Sequence, residues 1–313
     1  MLAPIALFVY NRPNHTQSLL NSLASNEEAK ESLLYVFCDG PKRGVPSDLV
    51  DEVKKVVKVE NRFKNLFLIE QSENQGLANS IIFGVQYILE RHDTVIVLED
   101  DLIVSRFFLK FMNDSLVIYK QEEKVISIGA CNYFTNDENI LNTIFLPLVD
   151  CLGWATWKNR WKLFEHDSRK LLDEINARNL TDKLNLHGFY DFKGMLQNQI
   201  SGKVDSWAIR WTVTSFLYDK VTLYPNPSLT QHVASTDATH ASHLNIRPSL
   251  ANHPIPVIYT KPHVKFKNYK KMLIAYYSYF DNNLFVKVLK RLKIEIFWIF
   301  KLDYLKETNK LEK

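Results

Sequence analysis

The sequence predicts an α/β fold, a mostly parallel, Rossmann-like sheet flanked by helices, on three observations. Strand-like and helix-like patterns alternate through the first 130 residues, the order that packs helices on both faces of a parallel sheet. The strand candidates are continuous apolar runs, as strands covered on both faces require. Several of them stop abruptly at polar groups, and in open parallel sheets ligands bind beyond the carboxyl ends of the strands.

Taken in order, IALFVY (5–10) is the first strand; Asn11-Arg12 end it, and Pro13 suits the first turn of the helix that follows. LLYVFCDGP (33–41) is a second strand running into the turn sequence Asp39-Gly40-Pro41. NLFLIE (65–70) is the third. After it, Leu77, Ile81, Val85, Ile88 and Leu89 in NQGLANSIIFGVQYILER keep helical spacing. TVIVLEDD (94–101) is the fourth, and it closes on Glu99, Asp100 and Asp101.

From about residue 130 the alternation fades and tryptophans appear, at Trp154, Trp157, Trp161, Trp207 and Trp211. Trp157 and Trp161 lie three and seven residues beyond Trp154, a helical spacing that places them in a core. LYPNPSLTQHVASTDATHASH (223–243) is polar and too irregular for a long helix or strand. The chain is expected to divide into an α/β half (1–130), a second half of the same domain (131–250) and a C-terminal extension (251–313). In that extension LFVKVLKRLKIEIFWIFKLDYL interleaves basic and apolar residues. It is expected to form a basic amphipathic helix, resting on an anionic membrane surface or packed on protein.

The bulk properties set the function classes aside in turn. A chain of 313 residues with 46% hydrophobic and 24% charged content is long enough for a sizeable core. Its 39 basic residues face 35 acidic ones, and no arginine-rich stripe with interleaved aromatics argues for nucleic acid. Three widely spaced cysteines, Cys38, Cys131 and Cys151, fit thiols of a reducing compartment better than a disulfide or zinc framework. MLAPIALFVYNRP has no basic n-region and too short an apolar stretch for a secretory signal. A cytoplasmic location is the expectation.

Three consecutive carboxylates at the end of an apolar strand repel one another, and leaving water is costly for them unless something positive compensates. A solvated strand end would carry them freely. Burial, however, resumes at once in LIVSRFF. Hard divalent cations, Mg²⁺ or Mn²⁺, favour carboxylate oxygens and use one or two of them together with substrate phosphates. No G-x-G-x-x-G follows the first strand, and no G-x-x-x-x-G-K-[ST], G-x-S-x-G or H-E-x-x-H is present. A phosphorylated ligand would therefore be handled through acids and a metal.

In order along the chain, VYNRP, FCDGP, NQGLANS, VLEDDL with FFLKFM, CLGWATW and VDSWAIRW resemble the motifs of GT-A-fold glycosyltransferases, close to bacterial family 2-type sugar transferases. Their order is similar to that of the Golgi N-acetylglucosaminyltransferase that starts complex N-glycans. The resemblance spans residues 5 to about 243. It implies an inverting, metal-dependent transfer from a nucleotide-sugar donor, with UDP as the expected nucleotide, to a glycan or lipid-linked glycan in bacterial surface polysaccharide or lipopolysaccharide synthesis.

By the same resemblance, Tyr10 would line the donor site, Arg12 would sit over its nucleotide end, and Asp39 would accept the N3–H of a uracil. Turn formation before Gly40-Pro41 explains Asp39 equally well. Asn74 and Gly76 would shape the loop near the ribose and diphosphate, Asp100 would approach the ribose and Glu99 the transferred sugar. Asp101 would be the direct metal ligand. Asp205, beside Trp207 in surroundings able to raise its pKa, would be the base for the acceptor hydroxyl, unless it is only a surface turn acid; Asp191 and Asp237 are the reserves. Gly153 and Trp154 would form the rim where donor sugar and acceptor meet. His232 and His240 lie on the segment that would fold over the diphosphate, to complete metal coordination or bond a phosphate oxygen, or else to cap a loop. A nucleotidyltransferase acting on sugar phosphates and a non-catalytic nucleotide- or glycan-binding protein are the rival readings.

Overall fold

A computed structural model of the chain describes residues 2–132, 142–188, 190–233 and 249–264. Three of the expected strands run parallel at its centre: β1 (Ile5–Val9) lies between β2 (Leu33–Cys38) and the strand before the acidic triplet. The first connection is α1 (Pro13–Ala24), which starts on Pro13 as expected. α2 (Asp48–Lys58) leads to β3 (Asn65–Glu70), and α3 (Leu77–Arg91) leads to β4 (Thr94–Glu99).

Side chains alternate between the two faces of β1, and each of its faces has its own cover. Ile5, Leu7 and Val9 pack with Leu19, Leu20, Leu23, Val53 and Val57 of α1 and α2. Ala6 and Phe8 pack with Ala78, Ile81 and Val85 of α3. All five residues of β1 are therefore buried, each large aliphatic contributing roughly 1.5–3 kcal/mol.

The second half joins the same sheet with mixed polarity. After β5 (Leu102–Val104) and α4 (Phe108–Ile118) come β6 (Val125–Gly129), β7 (Thr143–Leu146) and β8 (Trp154–Trp157). The helices α5 (Lys158–Trp161), α6 (Ser168–Ala177), α7 (Thr181–Leu184), α8 (Phe192–Ile200) and α9 (Trp207–Leu217) then lead to β9 (Val221–Pro225) and β10 (Thr230–His232). The strand order is β3-β2-β1-β4-β8-β6-β9-β7. β8 inserts antiparallel between β4 and β6, while β6 and β9 pair in parallel and β7 closes the edge antiparallel. The expected mostly parallel α/β architecture is the one found. α6, α8 and one face of α9 bury a second apolar cluster against β7.

Residues 249–264 cross back over the first half without forming a helix. Ser105 Oγ donates to Ala251 O at 2.7 Å, and the Tyr119 hydroxyl meets Ile258 O and Thr260 N. The basic amphipathic stretch of the extension lies outside the described residues. No helix among the described residues is long and apolar enough to cross a membrane.

Candidate active site

Because β1, β2 and β4 are parallel, their carboxyl ends emerge on one edge. The register pairs Val9 with Cys38 and Phe8 with Glu99. Tyr10–Arg12, Asp39-Gly40 and the acidic triplet are thereby neighbours, as polar groups at strand ends should be at such an edge.

The triplet is held from three directions. The Tyr10 backbone N–H donates to the Asp100 carboxylate. Arg12 Nη1 lies 3.7 Å from Asp100 Oδ1 and 3.5 Å from Asp101 Oδ2. β10 pairs antiparallel with β5, placing His232 opposite Leu102, and the Val233 N–H donates to Asp101 O at 2.8 Å. This short ribbon presents His232 Nε2 to Asp101 Oδ2 at 3.3 Å.

The acids differ in what surrounds them. Burial, then the charges of Asp101 and Asp100, push the Glu99 carboxyl well up, opposed by Arg12 and by a bond from the Trp207 side chain. Burial and the charge of Asp101 push Asp100 up to about 7. Burial acts upward on Asp101 too, but the bond and charge of His232, with Arg12, outweigh it and hold this carboxyl down. One anion among two acids that resist ionisation is the arrangement of a site short of positive charge.

The donor set fits a divalent ion in part. Asp101 Oδ2 and His232 Nε2 converge from separate elements, and both are ordinary ligands for Mn²⁺. No cluster of three or more His, Cys, Asp or Glu with ligand geometry is present among the described residues. The protein there offers a pair, which suits an ion that keeps waters and takes substrate phosphates. His240 lies outside the described residues.

Asp39 has a different occupation from the one expected. Its Oδ1 accepts the N–H groups of Gly40 (2.9 Å) and Gln75 (2.8 Å); its Oδ2 accepts Asn74 Nδ2 (3.0 Å) and the Gly76 N–H (3.1 Å). Four donors fill the carboxylate, so the turn role accounts for it and no acceptor capacity is left over for a uracil. Asn74 likewise commits its amide to Asp39 and to Gly40 O. The bonds pin the loop before α3. Gly76 caps that helix at φ 78°, ψ 156°, a region essentially restricted to glycine.

Asp205 stands across from this loop. A Cβ on Gly76 would lie 3.7 Å from Asp205 Oδ2. Its side chain is 54% exposed and faces Arg210 Nη2 at 3.5 Å, not an apolar pocket. Trp207, the first residue of α9 after the Ser206 N-cap, is instead buried, stacked on Trp154 and bonded to Glu99. Arg210 is the residue that sequence reasoning missed; its place one helical turn beyond Ser206 was the available signal. Cys151 was missed as a neighbour of the acids: burial first, then Asp150, Glu99 and Asp101, raise its thiol pKa.

Trp154 corrects another expectation. It is fully buried and stacks on Trp207, with centroids 5.1 Å apart and planes at 21°. Trp161 and Trp211 complete the cluster. Neither Trp154 nor Trp207 offers a face to a sugar at the rim. Trp157 and Trp161 are core as expected, but not through the helical spacing read from the sequence, since Trp154 and Trp157 lie on the strand β8. Gly153, at φ 84°, is packed where a Cβ would meet Thr230 Cγ2 at 2.8 Å. Its lack of a side chain lets Thr230 of β10 and Leu98 of β4 pack close to its backbone. Of the reserve acids, Asp191 caps α8 through the Gly194 N–H at 2.9 Å, and Asp237 lies outside the described residues.

No family model matches the chain. Among solved structures it is similar to a mannosyltransferase, PcManGT from Pyrobaculum calidifontis, in complex with GDP-Man and Mn²⁺, at 13% identity and TM-score 0.36, over 55% of this chain and 46% of that one. S. aureus TarS is similar at 16% identity and TM-score 0.37, over 52% of this chain and 29% of that one. An active-site mutant of LgtC is similar at 11% identity and TM-score 0.35, over 56% of this chain and 64% of that one. The chain thus spans less than two thirds of each of these proteins.

Proposed function

We propose that the chain is an inverting, metal-dependent glycosyltransferase of GT-A type. It would move a sugar from a nucleotide donor, with UDP as the expected nucleotide, to a glycan hydroxyl in bacterial surface polysaccharide or lipopolysaccharide synthesis. One observation carries the reading. Asp101, His232 and Arg12, from three separate elements, meet at the carboxyl edge of a parallel sheet, where a diphosphate and its cation can be held together.

Asp101 and His232 would hold the divalent ion; His240, also expected as a ligand, lies outside the described residues. When bound, the ion supplies Lewis-acid stabilisation of the departing diphosphate. Asp39 acts indirectly, by fixing the Asn74–Gly76 loop that borders the donor. Gly76 keeps that border clear in front of Asp205. Asp205 takes the proton of the acceptor hydroxyl, and its half-exposed side chain is reachable from solvent. Displacement from the face opposite the diphosphate inverts the anomeric centre without a covalent intermediate.

Thermal melting tests the reading. UDP with Mn²⁺ is expected to raise Tm, and EDTA or Asp101→Ala to abolish the shift. Asp205→Asn is expected to keep that shift while turnover with the preferred nucleotide sugar falls by about 10²-fold or more. An Asp101→Ala protein that still responded to Mn²⁺ and UDP would end the proposal; a fully active Asp205→Asn would move the base elsewhere.

A further inference from the structure

We infer that Arg12 is the resident counter-cation of the acidic cluster and exchanges it for the diphosphate, so that metal and nucleotide each favour the binding of the other. The inference rests on the metal–diphosphate reading above and adds to it a role for one side chain.

Arg12 is anchored by its backbone and loose at its tip. It precedes Pro13 at the start of α1, and its carbonyl accepts the Thr16 N–H at 2.9 Å and the Thr16 hydroxyl at 3.0 Å. Among the described residues the guanidinium has no such fastening. At 3.5 and 3.7 Å from the two acids it is beyond the roughly 2.7–2.9 Å of a full charge-assisted bond. Its side chain remains 22% exposed. The contact supplies charge compensation without locking the side chain, which can turn about its own bonds while the backbone stays in place.

The same oxygen serves two cations. Asp101 Oδ2 lies 3.5 Å from Arg12 Nη1 and 3.3 Å from His232 Nε2. A divalent ion held by that oxygen would place two positive charges beside the guanidinium. Metal alone must therefore evict Arg12 or bear its repulsion. A nucleoside diphosphate removes the conflict. Its oxygens match the planar guanidinium in paired bonds, and its charge screens Arg12 from the metal. The two ligands are then coupled through Arg12, each raising the affinity for the other by the same factor.

Mn²⁺ binding, followed by the loss of free-ion paramagnetic resonance, tests this with and without UDP. Arg12→Gln is expected to bind Mn²⁺ alone about tenfold more tightly than the wild type, while the enhancement by UDP shrinks. Chelation of Mn²⁺ by UDP in solution is common to both proteins and cancels. Arg12→Lys, which keeps the charge, is expected to stay near the wild type for Mn²⁺ alone. Equal or weaker Mn²⁺ binding by Arg12→Gln would overturn the inference while leaving the metal site standing. Absence of Mn²⁺ binding by the wild type even with UDP would overturn the functional reading and the exchange with it. A second measurement needs no metal. In EDTA, Arg12→Gln should lower Tm in the wild-type background and leave it unchanged beside the combined Asp100→Asn and Asp101→Asn; equal losses in both backgrounds would overturn the counter-cation role.

Discussion

Two strand ends in this molecule carry buried aspartates, and they are treated in opposite ways. At the end of β2, Asp39 receives four hydrogen-bond donors from its own turn and the Asn74–Gly76 loop. Two strands away, at the end of β4, Asp100 and Asp101 share Arg12, at 3.7 and 3.5 Å, and Asp101 alone also meets the His232 imidazole. A carboxylate whose lone pairs are filled contributes to folding. Crowded carboxylates kept short of positive charge are stable only with a partner that the polypeptide does not fully provide. The difference separates an acid saturated by its own turn from acids left short of donors, although both end apolar strands of one sheet.

The largest expected effect lies at the saturated end. Asp39→Ala strips three backbone N–H groups and one amide of their acceptor, and roughly 3–5 kcal/mol of stability should go with them in urea unfolding. A loss below about 1 kcal/mol would erase the contrast. At the other end the sign reverses. Burial and Asp101 push Asp100 up to about 7, whereas an unfolded aspartate titrates near about 3.9. Between those values the folded state holds a proton that the unfolded state has released, so this group makes stability fall as pH rises from about 4 to 7. Asp100→Asn should flatten that slope and, at about pH 8 without metal, stabilise the chain by about 2 kcal/mol. Paired melts across this pH range decide it.

Gly76→Ala comes next, because it forces a side chain into backbone space reserved for glycine next to Asp205. About 1–2 kcal/mol is expected, together with weaker UDP binding in the melting assay. The smallest effect on stability belongs to Asp205→Asn. Its side chain is half-exposed, and surface changes of this kind stay within about 0.5 kcal/mol. Loss of turnover without loss of stability would place it firmly on the binding side of the contrast.

Much of the first half was legible in advance. The four apolar runs became β1 to β4, Pro13 opened α1 and Leu77 opened α3; burial on both faces leaves an unbroken apolar signature in β1, β2 and β4, whereas β3 is a half-exposed edge strand. The second half was not. β8 is the four-residue WATW inserted antiparallel, and so short an apolar piece has no period to read. Trp154 was misplaced for the same reason. A tryptophan stacked on Trp207 and one lining a rim have identical sequence neighbours, and the partner that buries Trp154 lies far along the chain.

The sequence by itself determined the parallel sheet and the acids that close its fourth strand, since both follow from local pattern and from the chemistry of adjacent like charges. Only the tertiary structure decided which aspartate serves the fold, where Arg12 directs its charge, and that His232 reaches Asp101. Those facts depend on strand register and on a ribbon between residues 102 and 232, and electrostatic energy depends on distance through space, which spacing along the chain does not encode.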